Sequence, residues 1–183
     1  MEDISLEIKE ILKKIGENPK REGLIKTPQR VSKAFKEILI GYNQNIDDII
    51  NGAFFKLNYK EMVIIKDITF YSMCEHHMLP FFGKVHIAYV PNKLIIGLSK
   101  IPRIVEVFAK RLQIQEKLTV DIANTLHKKL KPKGVGVIIE AQHLCITSRG
   151  VRNETSIAIT SSMLGCFEKD EKIRNEFLNL IKK

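Results

Sequence analysis

The sequence predicts an α+β fold: an antiparallel sheet backed by a pair of helices, with a helical segment in front. Three observations predict it. Residues 62–70 (MVIIKDITF) are β-branched and strand-like, and residues 84–90 alternate so that Val85, Ile87 and Tyr89 share a face. Two stretches of helical period follow, through residues 101–112 and 118–130. Two more strand-like runs come after them. Strands, then helices, then strands within 183 residues is the pattern of an antiparallel α+β domain rather than of alternating parallel units.

The elements can be justified in order. Ile4, Ile8, Ile11, Leu12 and Ile15 recur on one helical face, and Gly16 closes the helix. A polar link leads to Thr27-Pro28, which reads as N-cap and first helical residue. That second helix turns Val31, Phe35, Ile38 and Leu39 inward and ends at Gly41. A short segment at 46–50 completes a helical extension over residues 1–60, leaving 61–183 as the main domain. Pro91-Asn92-Lys93 turns the chain into a strand at 94–96, and Ser99 takes the N-cap position before Ile101, Ile104, Val105, Phe108 and Leu112. Leu118, Ile122, Leu126 and Leu130 form the inward stripe of the next helix, which Lys131-Pro132-Lys133-Gly134 stops. Residues 135–146 and 154–162 read as strands, and 170–181 as a closing helix through Ile173, Phe177 and Ile181.

Composition narrows the class. At 44% hydrophobic and 28% charged, the chain has enough apolar material for a core without a disulfide scaffold. The acidic start Met-Glu-Asp-Ile lacks the basic region of a signal peptide, and the apolar runs fall short of a membrane span. The expectation is a cytoplasmic protein with no membrane partner. Three cysteines, an odd number, then point to thiols in metal chemistry rather than a disulfide framework. The net charge of +9 comes without a recognition-helix signature, an aromatic platform or any Trp, which argues against nucleic acid. A lysine-rich solvated surface accounts for most of the charge, with a polyphosphate ligand for the rest.

The chemistry concentrates in two places. Cys74-Glu75-His76-His77 lies in the loop after the first strand, and C-x-x-H spacing can chelate one ion from a tight turn. His143-Leu144-Cys145 reads as strand, which puts His143 and Cys145 on one face roughly 7 Å apart. Two of the three cysteines and three of the five histidines thus fall in seven positions. Other readings compete. A lone thiol is commonly a small buried hydrophobe. A redox pair is disfavoured by the compartment. Cys74, His77, His143 and Cys145 could also close a four-ligand structural site with no open position. Spacing alone does not choose between a closed site and an open one. Cys166 has no chelating neighbour and reads as a core residue.

Longer stretches decide more. SMCEHHMLPFFGKVHIAYVPN (72–92), IIGLSKIPRIVEVFAKRLQIQEKLT (95–119) and EAQHLCITSRGV (140–151) closely resemble the GTP cyclohydrolase I family. The likeness extends to TPQRV (27–31), TSSMLGCF (160–167) and EFL (176–178), nearly the whole chain after the first helix. The resemblance implies the tunnelling fold for residues 61–183, with a four-stranded antiparallel sheet and a helix pair in each subunit. It also implies a homodecamer of two stacked pentameric rings with interfacial active sites. The zinc ligands map onto Cys74, His77 and Cys145, leaving His143 and His76 for catalysis.

The implied reaction turns GTP and water into 7,8-dihydroneopterin triphosphate and formate, the first step of folate and pterin biosynthesis. Zinc lowers the pKa of its bound water to about 7 for attack at C8 of the guanine. His143 protonates N7, a task suited to an imidazole, and His76 serves later proton transfers. Glu116 matches the carboxylate that accepts from guanine N1–H and the amino group, with Gln115 helping to hold the base. Ser99, Lys100, Arg103 and Arg149 match the ribose and triphosphate site, and Arg30 a residue that reaches a neighbouring subunit's site. Cys166, Ile114 and Lys117 depart from common family residues without touching a role.

Two different readings remain. One is a non-catalytic, zinc-stabilised assembly protein, which metal occupancy without formate release would reveal. The other is a related tunnelling-fold enzyme acting on another pterin or a deazapurine. The nitrile reductases of that fold use a cysteine nucleophile without zinc, and C-E-H-H with H-L-C argues against them.

Overall fold

The computed structural model describes residues 1–182. The chain forms two compact units, Met1–Ile40 and Gly41–Lys183.

The smaller unit holds α1 (Ser5–Lys14) and α2 (Thr27–Ile38). Leu12 is buried on α1, and Pro28 and Ser32 on α2. Of the rest of the expected stripe, Ile4 and Ile8 are half-buried, while Ile11 and Ile15 are exposed. Polar contacts also join this segment. The Ser32 hydroxyl donates to Asp3 Oδ1 (2.7 Å) and accepts from Ile4 N–H (3.1 Å), while Ser5 donates to the same carboxylate. These bonds, that of the Ser5 hydroxyl first, lower the Asp3 carboxyl to about 2. Thr27 is the first helical residue rather than the N-cap, which is Lys26. Its N–H already bonds to Leu24 O in the preceding turn, so no side-chain cap is needed there. Gly41 lies within a 3-10 turn, Ile40–Asn43, and does not terminate α2.

The larger unit begins with α3 (Ile46–Ile50), which the Asn45 side chain caps by accepting from Asp47 N–H. A two-stranded ribbon pairs β1 (Phe54–Lys56) with β4 (Leu94–Ile96). The main sheet joins β2 (Val63–Cys74), β3 (Pro80–Val90), β6 (Gly134–His143) and β7 (Ala158–Gly165), each antiparallel to its neighbour. These are the four antiparallel strands expected. A short β5 (Leu112–Gln113) adds to the end of β2 in parallel, giving the order β5-β2-β3-β6-β7.

Both faces of the sheet are covered. On one, α4 (Lys100–Ala109) and α5 (Gln115–Leu130) bury Ile101, Ile104, Leu118, Ile122 and Leu126 against Val85, Ile87, Tyr89, Val137 and Ile139. The alternating residues Ala88, Val90 and Ile138 face the other way. They meet Phe167 of α7 (Cys166–Lys169) and Phe177 of α8 (Glu171–Ile181) in a second, smaller core. Cys166, read from the sequence as a core residue, is only partly buried and packs against that second core from its margin.

Two strand boundaries differ from the sequence reading, and α4 ends at Ala109, short of Leu112, which lies in β5. β6 stops at His143, and Leu144–Thr147 forms a helical turn, α6. The register explains this: Phe81 pairs with His143, so Leu144 would next face Pro80, which has no N–H to give. β7 starts at Ala158 rather than near 154, because Gly150 and Arg152 hold positive φ and Asn153 accepts from Thr155 N–H in a local turn. Ser99 occupies the N-cap position of α4 in helical conformation and makes no side-chain cap.

Candidate metal centre and active site

The turn after β2 is made by the backbone. Cys74 N–H donates to Leu79 O (2.9 Å) and Met78 N–H to Cys74 O (2.8 Å), with Met78 in left-handed conformation. Glu75 N–H donates to Gln113 O (3.0 Å), which ties the turn to β5. The turn carries His77 back over the strand end, so that its Nδ1 lies 3.8 Å from Cys74 Sγ. From the other side α6 presents Cys145. Cys145 therefore reaches the site from a helical turn, not from a strand face shared with His143. The ligand atoms of Cys74, His77 and Cys145 all lie within 4.8 Å of one another and could hold one metal ion.

The electrostatics suit that use. Burial, and next the neighbouring Cys74, push the Cys145 thiol up from its ordinary value, with Arg149 pulling weakly the other way. A bound metal reverses that balance for Cys145, because the cation favours the thiolate. Two sulfurs and an imidazole nitrogen are a donor set for a transition metal, not for magnesium or calcium. Cys74 is buried while His77 is exposed, so the group is open on one side.

His143 is held apart from this group. Its ring lies flat on Phe81, with centroids 4.6 Å apart and planes within 3°. Its Nε2 is 2.8 Å from Oε1 of Gln115, the first residue of α5. Burial lowers the His143 pKa, and the Glu116 carboxylate partly offsets this. Gln115 is itself buried. Its amide Nε2 faces Ile139 O (3.0 Å), Ala158 O (2.9 Å) and Thr160 Oγ1 (3.1 Å).

The other candidates sit at the surface of the single chain. His76 is exposed beside Glu75 and edge-on to His77, with ring centroids 6.2 Å apart. Glu116 is exposed one residue into α5. Ser99 and Arg103 are exposed at the start of α4, where Arg103 lines a depression of about 310 Å³ with Tyr71, Pro102 and Lys110. Lys100 donates its ammonium to Ile49 O (2.9 Å). The first amides of α4 are not available to an anion. Lys100 and Ile101 N–H bond to Gly97 O and Leu98 O, and Pro102 has none, so phosphate attraction here rests on side chains. Arg149 is exposed after α6, and Arg30 is exposed on α2 in the smaller unit.

No local signal in the sequence marks Phe81, Thr119 or Thr160 as part of the site. Only strand register puts Phe81 opposite His143, and only helix-on-sheet packing puts Thr119 Oγ1 2.7 Å from Thr160 Oγ1.

With this geometry in hand, comparison with known proteins is decisive: the family profile described as GTP cyclohydrolase I matches residues 4–182. The chain belongs to the GTP cyclohydrolase I family. The GTP cyclohydrolase 1 of Campylobacter jejuni (strain RM1221) is 58% identical over 174 residues, covering 95% of this chain and 92% of that one. The GTP cyclohydrolase 1 of Leptospira biflexa is 56% identical over 175 residues, 96% of either chain. That of Neurospora crassa is 55% identical over 95% of this chain and 56% of its own length. Among solved structures, the apo form of the archaeosine synthase QueF-Like has a TM-score of 0.48 at 16% identity, over 57% of this chain and 93% of that chain. The GTP cyclohydrolase I match spans every candidate residue from Arg30 to Arg149. No helix among the described residues is long and apolar enough to cross a membrane.

Proposed function

We propose that this chain is a zinc-dependent GTP cyclohydrolase I: it opens the guanine imidazole ring of GTP and yields 7,8-dihydroneopterin triphosphate and formate. The observation that carries the reading is a Cys74–His77–Cys145 group within 4.8 Å in a chain 58% identical to a GTP cyclohydrolase 1. Zinc favours two thiolates and one imidazole, and three protein ligands leave one position for water. When bound, zinc supplies Lewis acidity and lowers the pKa of a coordinated water to about 7.

The chain's own residues do the rest. His143 gives a proton to N7 of the guanine, which makes C8 electrophilic. His76, exposed on the turn, moves protons in later steps. Glu116 accepts from guanine N1–H and the amino group. An adenine offers neither pair of donors, so a carboxylate desolvated against it stays unpaired. Arg103, Lys100 and Arg149 hold the triphosphate, with Ser99 beside the ribose. Lys100 must trade its bond to Ile49 O for a phosphate oxygen, an exchange that favours the charged partner.

The chemistry belongs to residues 61–183, with 1–60 as an extension that supplies Arg30 to a neighbouring subunit. The full assembly is a homodecamer of stacked pentamers with interfacial active sites. Glu116 fits that arrangement, since its exposure in one chain leaves room for a second copy or the base to cover it. A place at the start of folate or pterin synthesis follows from the product, and the cytoplasm is its proposed location.

The test is direct. Incubation with GTP should release formate and build the pterin absorbance, and a zinc chelator should stop both. ATP should give neither. Metal uptake without formate release overturns the reading.

A further inference from the structure

The hydrogen bonds around Gln115 have only one consistent direction. Its Nε2 faces two backbone carbonyls, Ile139 O and Ala158 O, which can only accept. The amide therefore cannot be turned round. Thr119 Oγ1 donates its hydrogen to Gln115 O at 2.7 Å. Thr160 must then donate to Thr119 across their 2.7 Å contact, which leaves the Thr160 oxygen to accept from Gln115 Nε2. Both amide hydrogens are spent on these acceptors. The remaining atom, Oε1, meets His143 Nε2 at 2.8 Å and needs a hydrogen there. That hydrogen belongs to His143.

We infer that Gln115 is a positioning residue, not a base-binding one: it holds His143 as the Nε2–H tautomer and leaves Nδ1 to carry the transferred proton. The inference rests on the reading of His143 as the proton donor. Gln115 has no amide hydrogen left for guanine, and its side chain is buried between α5 and the ends of β6 and β7. Phe81 stacks on one ring face and restricts rotation, so the Gln115 bond sets which nitrogen points outward. Thr119 and Thr160 act one step further back, by fixing the amide.

The test separates positioning from base binding. In the zinc-loaded enzyme, Gln115→Met removes the acceptor at nearly constant volume. Expected is a fall in kcat of ~10–100-fold, the scale of a lost outer-shell orienting bond, with KM for GTP little changed. In a His143→Ala background, the same substitution should add no further loss of kcat and leave equilibrium GTP binding unchanged. Weakened GTP binding there, or a full further loss of rate, overturns the inference.

A second readout does not depend on activity. With 15N-histidine labelling, the resonances that vanish in His143→Ala identify this ring. They should show Nε2 carrying the proton in the neutral parent protein, and a growing Nδ1–H fraction in Gln115→Met. A parent ring already in the Nδ1–H form overturns the inference. If Gln115→Met does not fold, Thr160→Val takes its place, with the same split between kcat and KM expected and Thr160→Ser restoring the rate. Ring opening that survives His143→Ala would sink the reading of His143 as donor, while the labelling result still stands or falls alone.

Discussion

Cys74 and Cys145 lie close enough to hold one cation between them, and burial raises the Cys145 thiol, so their role and the metal are one question. Serine at Cys74 or Cys145, or alanine at His77, should abolish zinc binding, because two remaining ligands do not hold the ion. Cys166→Ser should keep full zinc, since that half-buried thiol packs against the second core and is no part of the ligand group. His143→Ala should also keep zinc and GTP binding but lose ring opening by roughly 10²–10⁴-fold, the scale of a missing general acid. Metal analysis with a formate assay on the five variants decides the matter. Full zinc in Cys145→Ser would sink the ligand set. Zinc lost together with activity in His143→Ala would make His143 a fourth ligand and close the site.

At the scale of elements, β3 and β6 together frame His143, and Gly83 sets how closely they approach. A Cβ added to Gly83 would lie 1.8 Å from Glu140 O and 2.8 Å from Ala141 Cα, so the strands would have to part. Gly83 pairs with Ala141, two positions along from the Phe81–His143 pair. Gly83→Ala should therefore destabilise the fold by about 1–3 kcal/mol, the usual cost of overpacking, and reduce activity with it. Gly97→Ala is the control, because its added Cβ meets only ordinary contacts from 3.7 Å outward. Urea midpoints compare the two. An unchanged midpoint in Gly83→Ala would show that the strands spread freely. Much at this scale was legible beforehand: the α5 stripe and the Val85–Ile87–Tyr89 face are buried as their periods require. The end of β6 was not. Nothing in the run from 135 to 146 announces that its partner strand begins with a proline at 80.

For the whole molecule, the sheet edges bear on assembly. Among the described residues β7 pairs only with β6, and the outer edge of β2 is matched only at Met73 and Cys74. Tyr71 and Ile159, on those two strands, are 69% and 65% exposed. Long edges with apolar side chains are where sheets join, which suits a closed ring of copies. If active sites draw on more than one subunit, inactive Arg30→Ala mixed with inactive Glu116→Ala should recover part of the activity once hybrids reassemble. No recovery, with mixing verified by mass, would place both residues in a site made by one chain.

The sequence alone determined the fold class and the family, and it brought out Cys74, His77, His143 and Cys145 by residue type and spacing. Hydrophobic period and metal-ligand spacing are local properties, so a reader of the chain has them directly. Tertiary structure decided how those residues are arranged. Cys145 reaches Cys74 from a helical turn because Pro80 leaves β6 without a partner. Gln115 faces His143 because α5 crosses the sheet where β6 and β7 end. Hydrogen-bond direction depends on which carbonyls and hydroxyls surround an amide. Those neighbours come from segments as far apart as residues 115 and 160, and no local pattern in the chain encodes their meeting.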